Sequence, residues 1–124
     1  PTLYDQALEA IKQGDYPKAI AGLTQFLSQK PDAERAESAQ YWLAEAFHVN
    51  RQLAEAQTAF ERLLSTYPNS PKAADVLYKI ALIQLDAGNA EQAKKTFTEV
   101  QTRYPNSTAA RLADQRLRRL KSGG

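Results

Sequence analysis

Few of the side chains that carry out chemistry are present in this chain of 124 residues, which has one histidine, no cysteine and 14 carboxylates. His48 has no cysteine and no clustered carboxylate to share a metal with, and no Ser or Cys nucleophile motif to make it the base of a triad. The absence of cysteine also removes disulfides and thiolate chemistry. Asp5 with Glu9, and the group Asp32, Glu34 and Glu37, lie at expected helix starts or on expected exposed faces, where solvation and the helix dipole account for carboxylates. The five glycines are turn residues, a lone interior Gly22 and the tail, so none builds a phosphate cradle. No catalytic residue, cofactor site or metal site is expected.

What the chain has instead is repetition. A shift of 37 positions lays Pro31 on Pro68 and Pro105, Ala19 on Ala56 and Ala93, and Tyr4 on Tyr41 and Tyr78. The same shift aligns Ala7 with Ala44 and Ala81, and the larger Leu23 with Phe60 and Phe97. Repetition at such a period marks stacked supersecondary units that bury their apolar faces on one another. With 43% apolar residues, many Ala, Leu, Gln, Glu, Lys and Arg and few β-branched ones, the units are helical.

Apolar spacing and stop signals place the helices at about 3–13, 16–29, 35–49, 54–66, 71–86, 90–103 and 108–121. Asp15 is expected to cap the second helix with Pro17 in its first turn, and Asp32 to cap the third. Ser70 is expected to cap a fifth helix opened by Pro71, Asn89 with Gln92 to form a capping box, and Ser107 to cap the last helix. Gly14 and Gly88 end the first helix of their repeats, and Asn50 is expected to supply the positive φ where the middle repeat lacks a glycine. Gly22 inside a helix costs about 1 kcal/mol relative to Ala, which either close packing offsets or a softer first repeat reflects.

The expected organisation is one all-α domain over 1–121, a solenoid of three helix-turn-helix repeats (about 2–31, 34–68 and 71–105). A capping helix (about 108–121) and a flexible tail (122–124) follow. Arg118 stands where Ala44 and Ala81 stand, and Arg116, Arg119 and Lys121 crowd the remaining surface. This is the polar cap that an array of repeats requires. The basic stretch has no interleaved aromatics, so nucleic acid is not an expected partner. Residues 1–62 carry 9 acids and 6 bases and residues 63–124 carry 5 acids and 10 bases, a polarity able to orient a partner. No apolar run is long enough for membrane insertion.

The aligned positions resemble the tetratricopeptide repeat: a small residue in the first helix, Ala twelve residues on, a large apolar residue four further, and proline after the second helix. The period exceeds the usual 34 by three residues, most simply accommodated around Tyr67 to Pro71. With Tyr67-Pro68-Asn69-Ser70-Pro71, Tyr41-Trp42-Leu43-Ala44 and the run to Asp86-Ala87-Gly88-Asn89, the whole chain resembles the C-terminal domain of the YbgF (CpoB) family of the Tol-Pal system. Envelope tetratricopeptide proteins that include outer-membrane assembly lipoproteins use similar Tyr-Pro-x-Ser turns. The resemblance implies a right-handed superhelix in the periplasm. It implies binding to TolA, contact with the peptidoglycan synthesis machinery and a part in coordinating outer-membrane constriction at division. The chain itself shows no signal peptide.

In tetratricopeptide proteins the first helices of the repeats line a concave surface that takes partner segments. Here that places Tyr4, Leu8 and Ile11, then Tyr41, Glu45 and His48, then Tyr78, Leu82 and Leu85, in an expected groove. Tyr4 and Leu8 occupy places where carboxylate-clamping repeat domains carry Lys and Asn, so no such clamp is expected. Trp42 is expected to be buried against the preceding helix rather than exposed. The sequence thus points to a non-enzymatic protein-interaction domain. Its rivals are a self-assembling repeat module and the repeat part of an outer-membrane assembly lipoprotein.

Overall fold

A computed structural model of the chain describes residues 2–123; Gly124 of the expected tail lies outside them. Among the described residues there are seven helices and no strand: α1 (Leu3–Lys12), α2 (Tyr16–Ser28), α3 (Ala33–Val49), α4 (Leu53–Thr66), α5 (Ala73–Asp86), α6 (Ala90–Arg103) and α7 (Thr108–Gly123). They fall into two compact units, Pro1–Tyr67 and Pro68–Gly124. Because residues 63–67 are uncharged, the first unit carries a net charge of −3 and the second of +5.

In the first unit α1 packs on α2, α2 on α3 and α3 on α4, with a lighter contact between α1 and α3. Short connections make each neighbour antiparallel. The core is a cluster of Ala7, Leu23, Phe26, Ala39 and Leu43, against which Leu3, Tyr4, Ile11 and Trp42 pack. Trp42 is half-buried on that cluster, which contains Leu23 and Phe26 of the preceding helix, where the sequence places it. A second, smaller cluster joins Ala10, Ala19 and Ala46 under Ile11, Tyr16 and Ile20. The alanines matched by the 37-residue shift, Ala7, Ala44 and Ala81 with Ala19, Ala56 and Ala93, are all buried, so small side chains sit where helices pack. Gly22 obeys the same rule, since a β-carbon there would lie 3.3 Å from Ala7 Cβ. Its helix-propensity cost accompanies close packing of α1 on α2.

In the second unit α5 packs on α6, and α7 lies against both. Phe97 and Val100 of α6 and Ala113 of α7 are fully buried. The polar face of α7 carries Arg118, paired with Asp114 one turn back at 2.9 Å. The helix runs to Gly123, through Ser122 where a tail is expected to begin.

Three helix starts use the side chains that their sequence predicts. Asp15 Oδ1 accepts from the Lys18 N–H, Asp32 Oδ1 from Arg35 at 3.0 Å and Ser107 Oγ from Ala110 at 3.0 Å. Three expectations are corrected. Ser70 does not cap α5: its hydroxyl accepts from the Lys72 N–H at 3.1 Å, closing a tight turn, and the helix begins only at Ala73. Asn89 flanks α6 without a side-chain cap bond, so the capping box with Gln92 does not form.

Asn50, third, has φ −79°, and it is Arg51 that takes the left-handed conformation, at φ 64°. The reason is register. Positions 14, 51 and 88 are equivalent, with φ of 78°, 64° and 86°. Each is followed by the same bond back across the helix end: Asp15 N–H to Ala10 O at 2.8 Å, Gln52 to Phe47 at 2.9 Å, Asn89 to Gln84 at 2.8 Å. This six-to-one bond defines the turn at all three sites, whatever residue occupies it. A residue with a β-carbon is strained there by about 1–2 kcal/mol, of which glycine's greater unfolded-state freedom cancels part. Arg51→Gly is therefore expected to raise the unfolding free energy by about 1 kcal/mol, read as a higher urea midpoint at unchanged slope.

Candidate functional site

The first helix of each hairpin (α1, α3, α5) presents one face made of residues four and three apart. On α1 this is Tyr4, Leu8 and Ile11, and on α3 it is Tyr41, Glu45 and His48, all half-buried. Both sets belong to the first unit, where α1 and α3 touch. On α5, in the second unit, Tyr78 is buried while Leu82 and Leu85 are half-buried.

The tyrosines are fixed by their own hairpins. Tyr41 lies 5.9 Å edge-on from Phe60 of α4 and 5.4 Å from Trp42, and Tyr78 lies 5.6 Å from Phe97 of α6. In the first repeat Leu23 stands at the phenylalanine position, and Tyr4 packs instead on Phe26, one turn further along α2, at 5.4 Å. Such pairs add about 0.5–1.5 kcal/mol beyond area burial, so each tyrosine joins the two helices of its hairpin and has only its remaining edge for a partner.

One residue of this face was not singled out from the sequence. Val49 follows Tyr41 and Glu45 at four-residue spacing and is 51% exposed, the large apolar side chain most open to solvent among the described residues. Helical spacing alone would have included it, but nothing in the sequence distinguishes an exposed valine at a helix end from a buried one. Val49 on α3 and Leu8 and Ile11 on α1 are the apolar members of these faces in the first unit besides the tyrosines.

Elsewhere the polar groups are accounted for by structure. Gln40 Nε2 donates to Ala59 O at 2.9 Å and holds α3 to α4, while Thr96 Oγ1 lies 2.7 Å from Gln84 Oε1 between α5 and α6. No buried side-chain N or O lacks a partner among the described residues. Arg103 is held above the ordinary arginine pKa by its hydrogen bond to Glu99, 2.8 Å, and next by Tyr104, whose ring it covers at 5.4 Å. Among the described residues no group of three or more His, Asp and Glu could hold a metal ion, and no helix is long and apolar enough to cross a membrane.

Antiparallel hairpins repeated at 37 residues, with Ala7, Ala44 and Ala81 buried at the same place in each, define an all-α protein of the tetratricopeptide class. The chain belongs to the YfiO outer membrane lipoprotein family, whose model it matches over residues 1–123. It is 27% identical over 121 residues to the outer membrane protein assembly factor BamD of Caulobacter vibrioides, covering 89% of this chain and 40% of that protein. It is 45% identical over 42 residues to the cell division coordinator CpoB of Pseudomonas putida, covering 34% of this chain and 16% of that one. The match therefore spans less than half the length of either relative. A solved tetratricopeptide repeat protein from Parabacteroides merdae superimposes with a TM-score of 0.49 at 16% identity, covering 98% of this chain and 59% of that one.

Proposed function

We propose that the chain is a non-catalytic protein-docking domain working in the periplasm, and that partners bind the face carrying Tyr4, Leu8, Ile11, Tyr41, Glu45 and His48, extended by Val49. The observation that carries this is the exposed Val49 beside Glu45 and His48 on α3, with Leu8 and Ile11 half-buried on α1, in a member of an outer membrane lipoprotein family. Tyr78, Leu82 and Leu85 serve the same role on α5. The face is held by packed helices before any partner arrives, so little ordering entropy opposes binding.

The finer reading is that the partner is TolA and that the domain helps coordinate outer-membrane constriction with peptidoglycan synthesis at division. The segment similar to CpoB and the Tyr-Pro-Asn-Ser-Pro turn support it. A second reading, a part in outer-membrane protein assembly, is favoured by the match to YfiO over nearly the whole chain. Titration of the purified periplasmic part of TolA by calorimetry separates them. Saturable binding weakened about tenfold or more by Leu8→Asp with Val49→Asp, with helicity unchanged, supports the TolA reading. Absence of binding to the unsubstituted chain sinks it and leaves the assembly reading. Concentration-dependent light scattering lost in the same double variant would instead make the face a self-association surface.

A further inference from the structure

The opposite side of α3 carries a different concavity. At 100° per residue Gln40, Leu43 and Phe47 point away from Tyr41, Glu45, His48 and Val49. They floor an open groove of about 570 Å³, with α2 on one side and α4 on the other. Leu27 and Phe47 are half-buried apolar side chains there, and the edges are formed by small residues such as Thr24 and Thr58.

Three features say what fits. The floor makes no polar demand, because Gln40 Nε2 is already engaged by Ala59 O. The walls are helices whose backbone groups are spent within the helices, so an extended strand gains no backbone hydrogen bonds, while the side-chain ridge of a helix fits between them. Arg62 stands on the α4 edge with no carboxylate at the positions three and four residues away, which are Ala59, Ser65, Thr58 and Thr66. The contrast with Arg35, Lys94, Arg103 and Arg118 is plain, since each of these pairs with an acid three or four residues earlier. The two acids of α4, Glu55, which also lines the groove at the end away from Arg62, and Glu61, accept from the neutral amides of Gln52 and Gln57. Arg62 is thus a cation beside an apolar groove with no ion pair among the described residues.

We propose that this groove is a second docking site, taking two turns of an amphipathic helix from a partner protein whose carboxylate meets Arg62. From Ala54 to Arg62 the α4 edge runs about 12 Å, which is two helical turns. The groove is open to solvent, unlike the enclosing pockets that bury most of a small ligand, which favours a helix over an acyl chain. The site is independent of the face proposed above, being on the other side of α3.

The test uses the full chain and a fluorescein-labelled helical peptide of about four turns, with leucines at i, i+3 or i+4 and i+7 and a single Glu beside them, together with its Glu-to-Lys counterpart. Fluorescence anisotropy should show saturable binding of the Glu peptide that Thr58→Arg, at an exposed rim position, abolishes. Arg62→Glu should weaken the Glu peptide about fivefold and strengthen the Lys peptide by a similar factor. Val49→Asp should change neither. Equal effects of Arg62→Glu on both peptides, loss of binding in Val49→Asp, or no saturable binding would each overturn the proposal. So would a fluorescent fatty acid that binds in a Thr58-dependent way where the peptide does not. Far-UV circular dichroism of each variant confirms that the helices are retained.

Discussion

Phe60→Ala is expected to lower the unfolding free energy by about 3–5 kcal/mol, a large share of the roughly 5–15 kcal/mol that holds a domain of this size together. The ring is fully buried, so its loss removes both transfer energy and the contacts of the walls that cannot close over the gap. It also removes the aromatic partner that holds Tyr41 at 5.9 Å. Urea unfolding followed by far-UV circular dichroism measures the change. A loss below about 1 kcal/mol, the scale of an ordinary surface substitution, would show that the ring is not core. Phe97→Ala, at the equivalent place in the second unit and equally buried, should cost a similar amount.

Gly22→Val is the second large effect. A β-carbon at 22 already meets Ala7 Cβ at 3.3 Å, and the two methyl groups of valine must go where α1 lies. Overpacking of this kind costs about 1–3 kcal/mol, and we expect the upper end because the obstacle is a short side chain fixed to a helix backbone. Gly22→Ala sets the same contact against a helix-propensity gain of about 1 kcal/mol, and its net effect should be small. Combining Ala7→Gly with Gly22→Val should recover part of the loss. The double-mutant coupling reads the contact directly, and strict additivity would mean that the two residues do not meet.

Both effects sit at positions visible in the repeat: Phe60 aligned with Leu23 and Phe97, and Ala7 with Ala44 and Ala81. Helix order and class were likewise readable, because apolar spacing and the caps Asp15, Asp32 and Ser107 are local signals that the fold has no reason to override. The places where local chemistry misled are turns. A glycine-free turn suggested Asn50, yet Arg51 carries the positive φ, because the six-to-one bond closing the hairpin fixes which position must be left-handed. Ser70 looked like a cap, yet its hydroxyl satisfies Lys72 two residues on.

The surfaces proposed for docking divide in the same way. Residue types and spacing made this an all-helical repeat chain, and its resemblance to tetratricopeptide repeats marked the helix faces proposed for a partner. Three further facts depended on which helix packs against which. Tyr78 is closed in while Val49 stands open, Gly22 serves the approach of α1 to α2, and α2 and α4 are held apart over α3 to leave the groove beside Arg62. Periodicity tells which side chains share a face; whether that face is covered depends on neighbours many residues away in the chain, and only their packing decides it.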